Sequence, residues 1–153
     1  MRLVEALKDV KRIAIDTVCV IYFIENHPEY ANAVEYVLRL IEQDKLEAQS
    51  SVITLAETLV KPLKLKDVKL EDDYRDFLQD RENLPLNPIS EIVAERAAIL
   101  RAKYNLKLAD ALQIATAILS GCDAFLTNDV GIKRVTEIRV LVLDELELDT
   151  TPQ

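Results

Sequence analysis

The chain has 153 residues, half of them hydrophobic, with 19 Lys+Arg against 27 Asp+Glu and a net charge of −8; this suits one domain over 1–153 with an ordinary core and excludes a disordered tail. Two glycines, Gly121 and Gly131, cannot assemble a Walker-type phosphate loop or a dinucleotide turn, a single histidine, His27, excludes multi-His zinc sites, and two cysteines, Cys19 and Cys122, cannot make a four-cysteine metal site. The acidic balance also disfavours diffuse attraction to a phosphate backbone, but it leaves room for a nucleic-acid enzyme whose acidic site holds metal ions.

Met1 to Lys11 is amphipathic and mixed in charge, without the apolar stretch of a signal peptide. Arg12-Ile13-Ala14-Ile15-Asp16 is a short apolar run ending in a carboxylate, the pattern of a buried parallel strand. The longest apolar run, Val18 to Ile24, has seven residues, far short of the roughly 20 needed to span a bilayer. With two free cysteines in apolar contexts, the expectation is a soluble cytoplasmic protein with no membrane partner. Glu29 to Gln43 predicts a helix, Leu46 to Ser50 a second strand, and Thr54 to Val60 a short helix that Pro62 should end or kink. Leu70, Tyr74, Phe77 and Leu78 mark another amphipathic helix.

Asn83 to Ile89 is extended and proline-punctuated, and Ser90 then caps a helix with Val93, Ala97, Leu100 and Tyr104 on one face. Leu108 to Ser120 predicts a further helix with Leu112, Ala115 and Leu119 inward, and 124–127 and 139–143 complete the strands. This alternation predicts an α/β fold, a mainly parallel central sheet sandwiched by helices. Ligands of such sheets sit beyond the carboxyl ends of the strands, which points at Asp16 and at Asn128-Asp129.

Four carboxylates stand out by position: Asp16 and Asp129 after strands, Glu57 and Asp110 in the first turns of helices. Like charges at ~4 Å repel by about 4 kcal/mol at an effective dielectric of 20, so a convergent cluster calls for a cation, and hard oxygen donors select Mg²⁺ or Mn²⁺. Each residue has a local explanation as well. Glu57 completes Thr54-Leu55-Ala56-Glu57, the spacing of a capping box, and on local sequence that reading has the better claim. Asp110 can complement a helix dipole, Asp16 can cap a helix beginning near Val18, and Asn128 or Asp129 can cap a short helix through Lys133. Tyr22 and Phe23 read as core or interface residues, His27 as part of a turn, and the 61–69 lysines as a solvated face.

Taken together, these segments resemble the PIN-domain ribonucleases, above all the toxin subunits of VapBC-type toxin–antitoxin pairs. The resemblance rests on Ile13-Ala14-Ile15-Asp16-Thr17 with Val20 to Glu25, on Ser51 to Leu63 around Glu57, on Leu106 to Ala117 around Asp110, and on Ala124-Phe125-Leu126-Thr127-Asn128-Asp129, in that order. It implies a three-layer PIN-like fold and an endoribonuclease with Mg²⁺ or Mn²⁺ held by Asp16, Glu57, Asp110 and Asp129. Thr17, Thr127 and Asn128 would be supporting polar groups. It also implies an RNA substrate and a homodimer inhibited by a cognate antitoxin that wraps the groove. Val18 departs from the small polar residue common two positions after the first aspartate, and Val130-Gly131 from the basic residues many relatives carry after the last.

Two other readings remain at this point. A PIN-like binding module without turnover would keep the fold and act only through its protein partner. A phosphatase using Asp16 as nucleophile is poor, because the second aspartate it requires two residues on is Val18.

Overall fold

The computed structural model describes residues 1–79 and 81–148. Its elements, in order, are α1 (Leu3–Ala6), β1 (Arg12–Ile15), α2 (Thr17–Ile24), α3 (Ala31–Glu42), β2 (Glu47–Ser51), α4 (Val52–Leu65), α5 (Val68–Leu78), β3 (Leu86–Asn87), α6 (Glu91–Tyr104), α7 (Leu108–Leu119), β4 (Ala124–Thr127) and β5 (Arg139–Val142), with 3-10 turns at Val130–Arg134 and Leu143–Glu145. The strands form one sheet in the order β3-β2-β1-β4-β5, and every pairing is parallel.

Side chains alternate across a strand, and here the alternation divides the core in two. Ile13, Ile15, Ala124 and Leu126 face one layer, where they pack with Val34, Val37, Leu38 and Ile41 of α3 and with Tyr74 and Leu78 of α5. Ala14 and Phe125 face the other, against Val93, Ala97 and Leu100 of α6 and Ala111, Ile114 and Ala115 of α7. The result is helix, sheet, helix, as the strand–helix alternation predicts. Among the described residues no helix is long and apolar enough to cross a membrane.

The chain leaves β1 toward β2 and β3 on one side and returns to β4 and β5 on the other. That reversal opens a crevice beyond the carboxyl ends of β1 and β4, where Asp16 and Thr127-Asn128-Asp129 emerge.

Several local expectations are corrected. The helix carrying Glu57 begins at Val52, capped by Ser51, whose Oγ accepts the Ile53 N–H at 3.1 Å. Thr54 is therefore inside the helix and Glu57 in its second turn, and the capping-box reading fails. Pro62 does not end this helix, which runs to Leu65. Pro62 is buried on the same face as Thr58 and Leu59, so packing outweighs the lost backbone bond. Ala115 is buried as expected, but Leu119 is exposed and Leu112 only half-buried, because α7 turns Ala111 and Ile114 inward in their place. The helix expected from Glu29 begins at Ala31.

Ser90 caps α6 as expected, its Oγ accepting the Val93 N–H at 3.3 Å. Ser90→Ala is expected to cost about 1 kcal/mol, seen as a lower urea midpoint with unchanged m value.

Candidate functional site

Asp16 is the residue on which the crevice is built. It follows β1 directly and caps α2, its Oδ1 accepting the Thr17 N–H at 2.8 Å while Oδ2 accepts the Thr127 hydroxyl at 2.7 Å. It is only 8% exposed. Burial pushes its carboxyl up to about 6, helped by the negative charges of Asp110 and Glu57 and opposed by the Thr127 and Thr17 hydrogen bonds. Capping and site membership coexist, since both come from standing between a strand end and a helix start.

Glu57 reaches the crevice from α4. Its Oε1 accepts the Thr17 hydroxyl at 2.8 Å. Behind it lies a buried polar network: Gln113 Nε2 donates to Thr17 Oγ1 at 3.0 Å and to Thr54 Oγ1 at 2.7 Å, and Gln113 Oε1 accepts the Ser51 hydroxyl at 2.5 Å. Ser50 Oγ lies 2.9 Å from Thr54 Oγ1. Thus three elements, β2, α4 and α7, set the position of Thr17 and through it the Glu57 carboxylate.

Asp110 lies in the first turn of α7 and is half-buried. Its carboxyl is raised by burial and then by the charges of Asp129 and Glu57, while Lys107 and Arg134 pull it down. Asp129 caps the following 3-10 turn, accepting the Gly131 N–H at 2.9 Å, and donates its own N–H to Thr127 Oγ1 at 3.2 Å. Thr127 therefore connects Asp16 to Asp129. Asn128 has other partners: its Nδ2 donates to the Tyr22 hydroxyl at 3.0 Å and its Oδ1 accepts the Asp144 N–H at 2.8 Å.

All the residues singled out from sequence, Asp16, Thr17, Glu57, Asp110, Thr127, Asn128 and Asp129, line one groove of 390 Å³, together with Val18, Ile21, Tyr22, Lys107 and Ala109. The carboxylates act on one another's charge, yet among the described residues no group of three acidic, His or Cys side chains is placed to hold a metal ion. In chemical type, though not in spacing, the donors suit a hard divalent cation: the acidic donors are all oxygen, Asp16 is held by uncharged donors, and its ionised form is disfavoured by burial and by like charges.

The family model of the PIN domain matches residues 13–138. The chain belongs to the PIN domain family. The segments around Asp16, Glu57, Asp110 and Asp129 all lie within the matched part of this PIN domain. Its fold is similar to that of a chain in VapBC2 from Rickettsia felis bound to a DNA fragment from their promoter, at 21% identity and TM-score 0.68, covering 86% of this chain and 98% of that one. It is similar to a chain of a toxin–antitoxin complex from Klebsiella pneumoniae at 27% identity and TM-score 0.58, covering 83% and 98%. FitAcB from Neisseria gonorrhoeae matches at 20% identity and TM-score 0.64, covering 88% and 99%. No curated protein matches the chain.

In this PIN domain, sequence reasoning missed Gln113 and the Ser50, Ser51 and Thr54 hydroxyls that surround it. The available signal was a polar residue between Leu112 and Ile114 in a mostly apolar helix, which is where a buried hydrogen-bonded group is expected. It also missed Tyr22 as a groove residue. Phe23, by contrast, packs against Phe77 with ring centroids 5.5 Å apart, as a core residue should.

Proposed function

We propose that this PIN domain is a Mg²⁺- or Mn²⁺-dependent endoribonuclease, hydrolysing RNA phosphodiester bonds as the toxin of a toxin–antitoxin pair. The observation that carries this reading is convergence: Asp16, Glu57, Asp110 and Asp129, from four separate stretches of chain, line one groove at the reversal of strand order. A divalent cation bound there supplies polarisation of the phosphodiester and acidification of a water molecule. Asp16 is the central ligand of this reading, because it feels both Asp110 and Glu57 and is fixed by two hydrogen bonds. Thr17 and Thr127 hold Glu57 and Asp16 in place, while Asn128 braces the groove wall through Tyr22 and Asp144.

The likeness to a chain of the Klebsiella toxin–antitoxin complex supports a cognate antitoxin as protein partner. A homodimer and a cytoplasmic location complete the proposal. A second reading, a PIN domain that acts only through its protein partner, draws on the open arrangement of the carboxylates.

Calorimetry with Mn²⁺ near neutral pH separates the two. Wild type is expected to bind the ion and Asp16→Asn to lose that binding, with cleavage of total RNA lost in parallel. Folded wild type that binds no Mn²⁺ at millimolar ion would overturn the nuclease reading and leave the partner-only one.

A further inference from the structure

We propose that Val18, Ile21 and Tyr22 form a nucleobase shelf, on which a base flanking the cleaved phosphodiester lies against the Tyr22 ring. This rests on the RNA-cleavage reading above. The three residues stand at i, i+3 and i+4 on α2, so they share one helix face. That face lines the same groove as Asp16, Glu57, Asp110 and Asp129, and all three side chains are only half-buried. The groove thus has an anionic part suited to a cation and phosphate and, one helical turn away, an apolar wall suited to a flat uncharged surface.

The Tyr22 ring is held before any ligand arrives. His27 and Tyr30 lie with ring centroids 4.6 and 4.9 Å from it, and its hydroxyl accepts the Asn128 amide at 3.0 Å. His27 is fixed in turn, its Nδ1 accepting the N–H groups of Glu29 and Tyr30 at 3.1 and 3.3 Å. A pre-positioned ring loses little entropy on binding, which favours a stacking contact.

Electrostatics point the same way. The chain carries a net charge of −8. Lys61 is paired with Glu25. Arg134 is near enough to act on Asp110, but its guanidinium already donates to the carbonyls of Tyr104, Gly131 and Asn105 at 2.8, 2.7 and 3.3 Å. Lys107 is the cationic side chain lining the groove among the described residues. Within the groove, phosphate attraction by side chains is therefore small, which leaves contact with bases to supply affinity there. Single-stranded RNA offers unstacked bases for this, whereas a duplex hides them.

The test is fluorescence anisotropy in Ca²⁺ with labelled oligouridylate, labelled oligoadenylate and an abasic ribose-phosphate oligomer of the same length. Both RNAs are expected to bind wild type at least about 5-fold more tightly than the abasic oligomer. Tyr22→Leu should erase that difference, and Tyr22→Phe, which keeps the ring, should retain it. Salt dependence should be shallow, with a log–log slope no steeper than about −1.4, the value for two phosphates neutralised. Equal binding of RNA and abasic oligomer by wild type overturns the shelf and leaves the RNA reading intact; this comparison needs no variant. A preference that survives in folded Tyr22→Leu, or a slope steeper than about −3, also overturns it. Binding of no oligomer at all removes the RNA reading together with the shelf.

Discussion

In metal-free buffer, Asp16→Asn is expected to make the protein more stable, by up to about 3 kcal/mol near pH 7. The Asp16 carboxyl is held at about 6, against an ordinary 3.8, by burial and by the charges of Asp110 and Glu57. Its ionised form is thus disfavoured in the fold relative to the unfolded chain. Below about pH 4 the carboxyl is protonated in both states and the penalty is absent; as pH rises toward about 6 the folded protein loses stability, and above that the loss is complete. Asparagine caps a helix as well as aspartate does, so the substitution removes the charge and keeps the Thr17 N–H bond. The variant should therefore match wild type in acid and exceed it at neutral pH. If the proposed metal site is real, saturating Mn²⁺ should reverse the order by stabilising only the wild-type protein. Chemical denaturation in chelator at both pH values, with and without Mn²⁺, checks this. Equal destabilisation at both pH values would mean that Asp16 serves the fold alone.

Gln113→Leu is expected to cost about 2–4 kcal/mol and to weaken Mn²⁺ binding, although Gln113 does not line the groove. Its amide serves Thr17 and Thr54 and its carbonyl oxygen serves Ser51, all in buried surroundings. Leucine fills similar space but leaves those hydroxyls short of partners, at about 1–3 kcal/mol for each group left unsatisfied. The loss propagates to the site because Thr17 donates to Glu57. A double-mutant cycle with Thr54→Val measures the coupling, which should exceed about 0.5 kcal/mol for residues in one network. A loss under about 0.5 kcal/mol with unchanged Mn²⁺ affinity would show that the network carries neither stability nor site geometry.

The two variants probe different parts of the same construction. Asp16 is an anion the fold tolerates at a cost; Gln113 belongs to the uncharged scaffold that places the neighbouring anion. Carboxylates that feel one another's charge, set on a satisfied polar base, give a groove that is unfavourable to extra negative charge and held in one geometry.

Much of this was legible from local pattern. Ile13-Ala14-Ile15 and Ala124-Phe125-Leu126 read as buried strands because short apolar runs of this kind have few other uses, and both lie at the centre of the sheet. Ser90, Asp16 and Asp129 were readable as caps, because capping is decided within three residues. Glu57 was not. The spacing from Thr54 to Glu57 satisfies a capping box, and only the pairing of Ser51 with Asn87 carries β2 far enough to make Ser51 the cap. Leu119 was misplaced for a related reason. The inward face of α7 is chosen by the small Ala14 beneath it and by α6 beside it, so alanines pack inward and a leucine is left outside.

By itself the sequence determined the element types, the caps at Asp16, Ser90 and Asp129, and the family-like order of four acidic segments, since these depend on contacts between residues close in the chain. Tertiary structure alone decided that the groove's apolar wall is Val18, Ile21 and Tyr22, that Gln113 underlies Thr17, and that Asp16 and Asp129 share Thr127. Those facts follow from strand order and helix rotation, which are set by how distant segments fill one another's volume, and no local pattern encodes that.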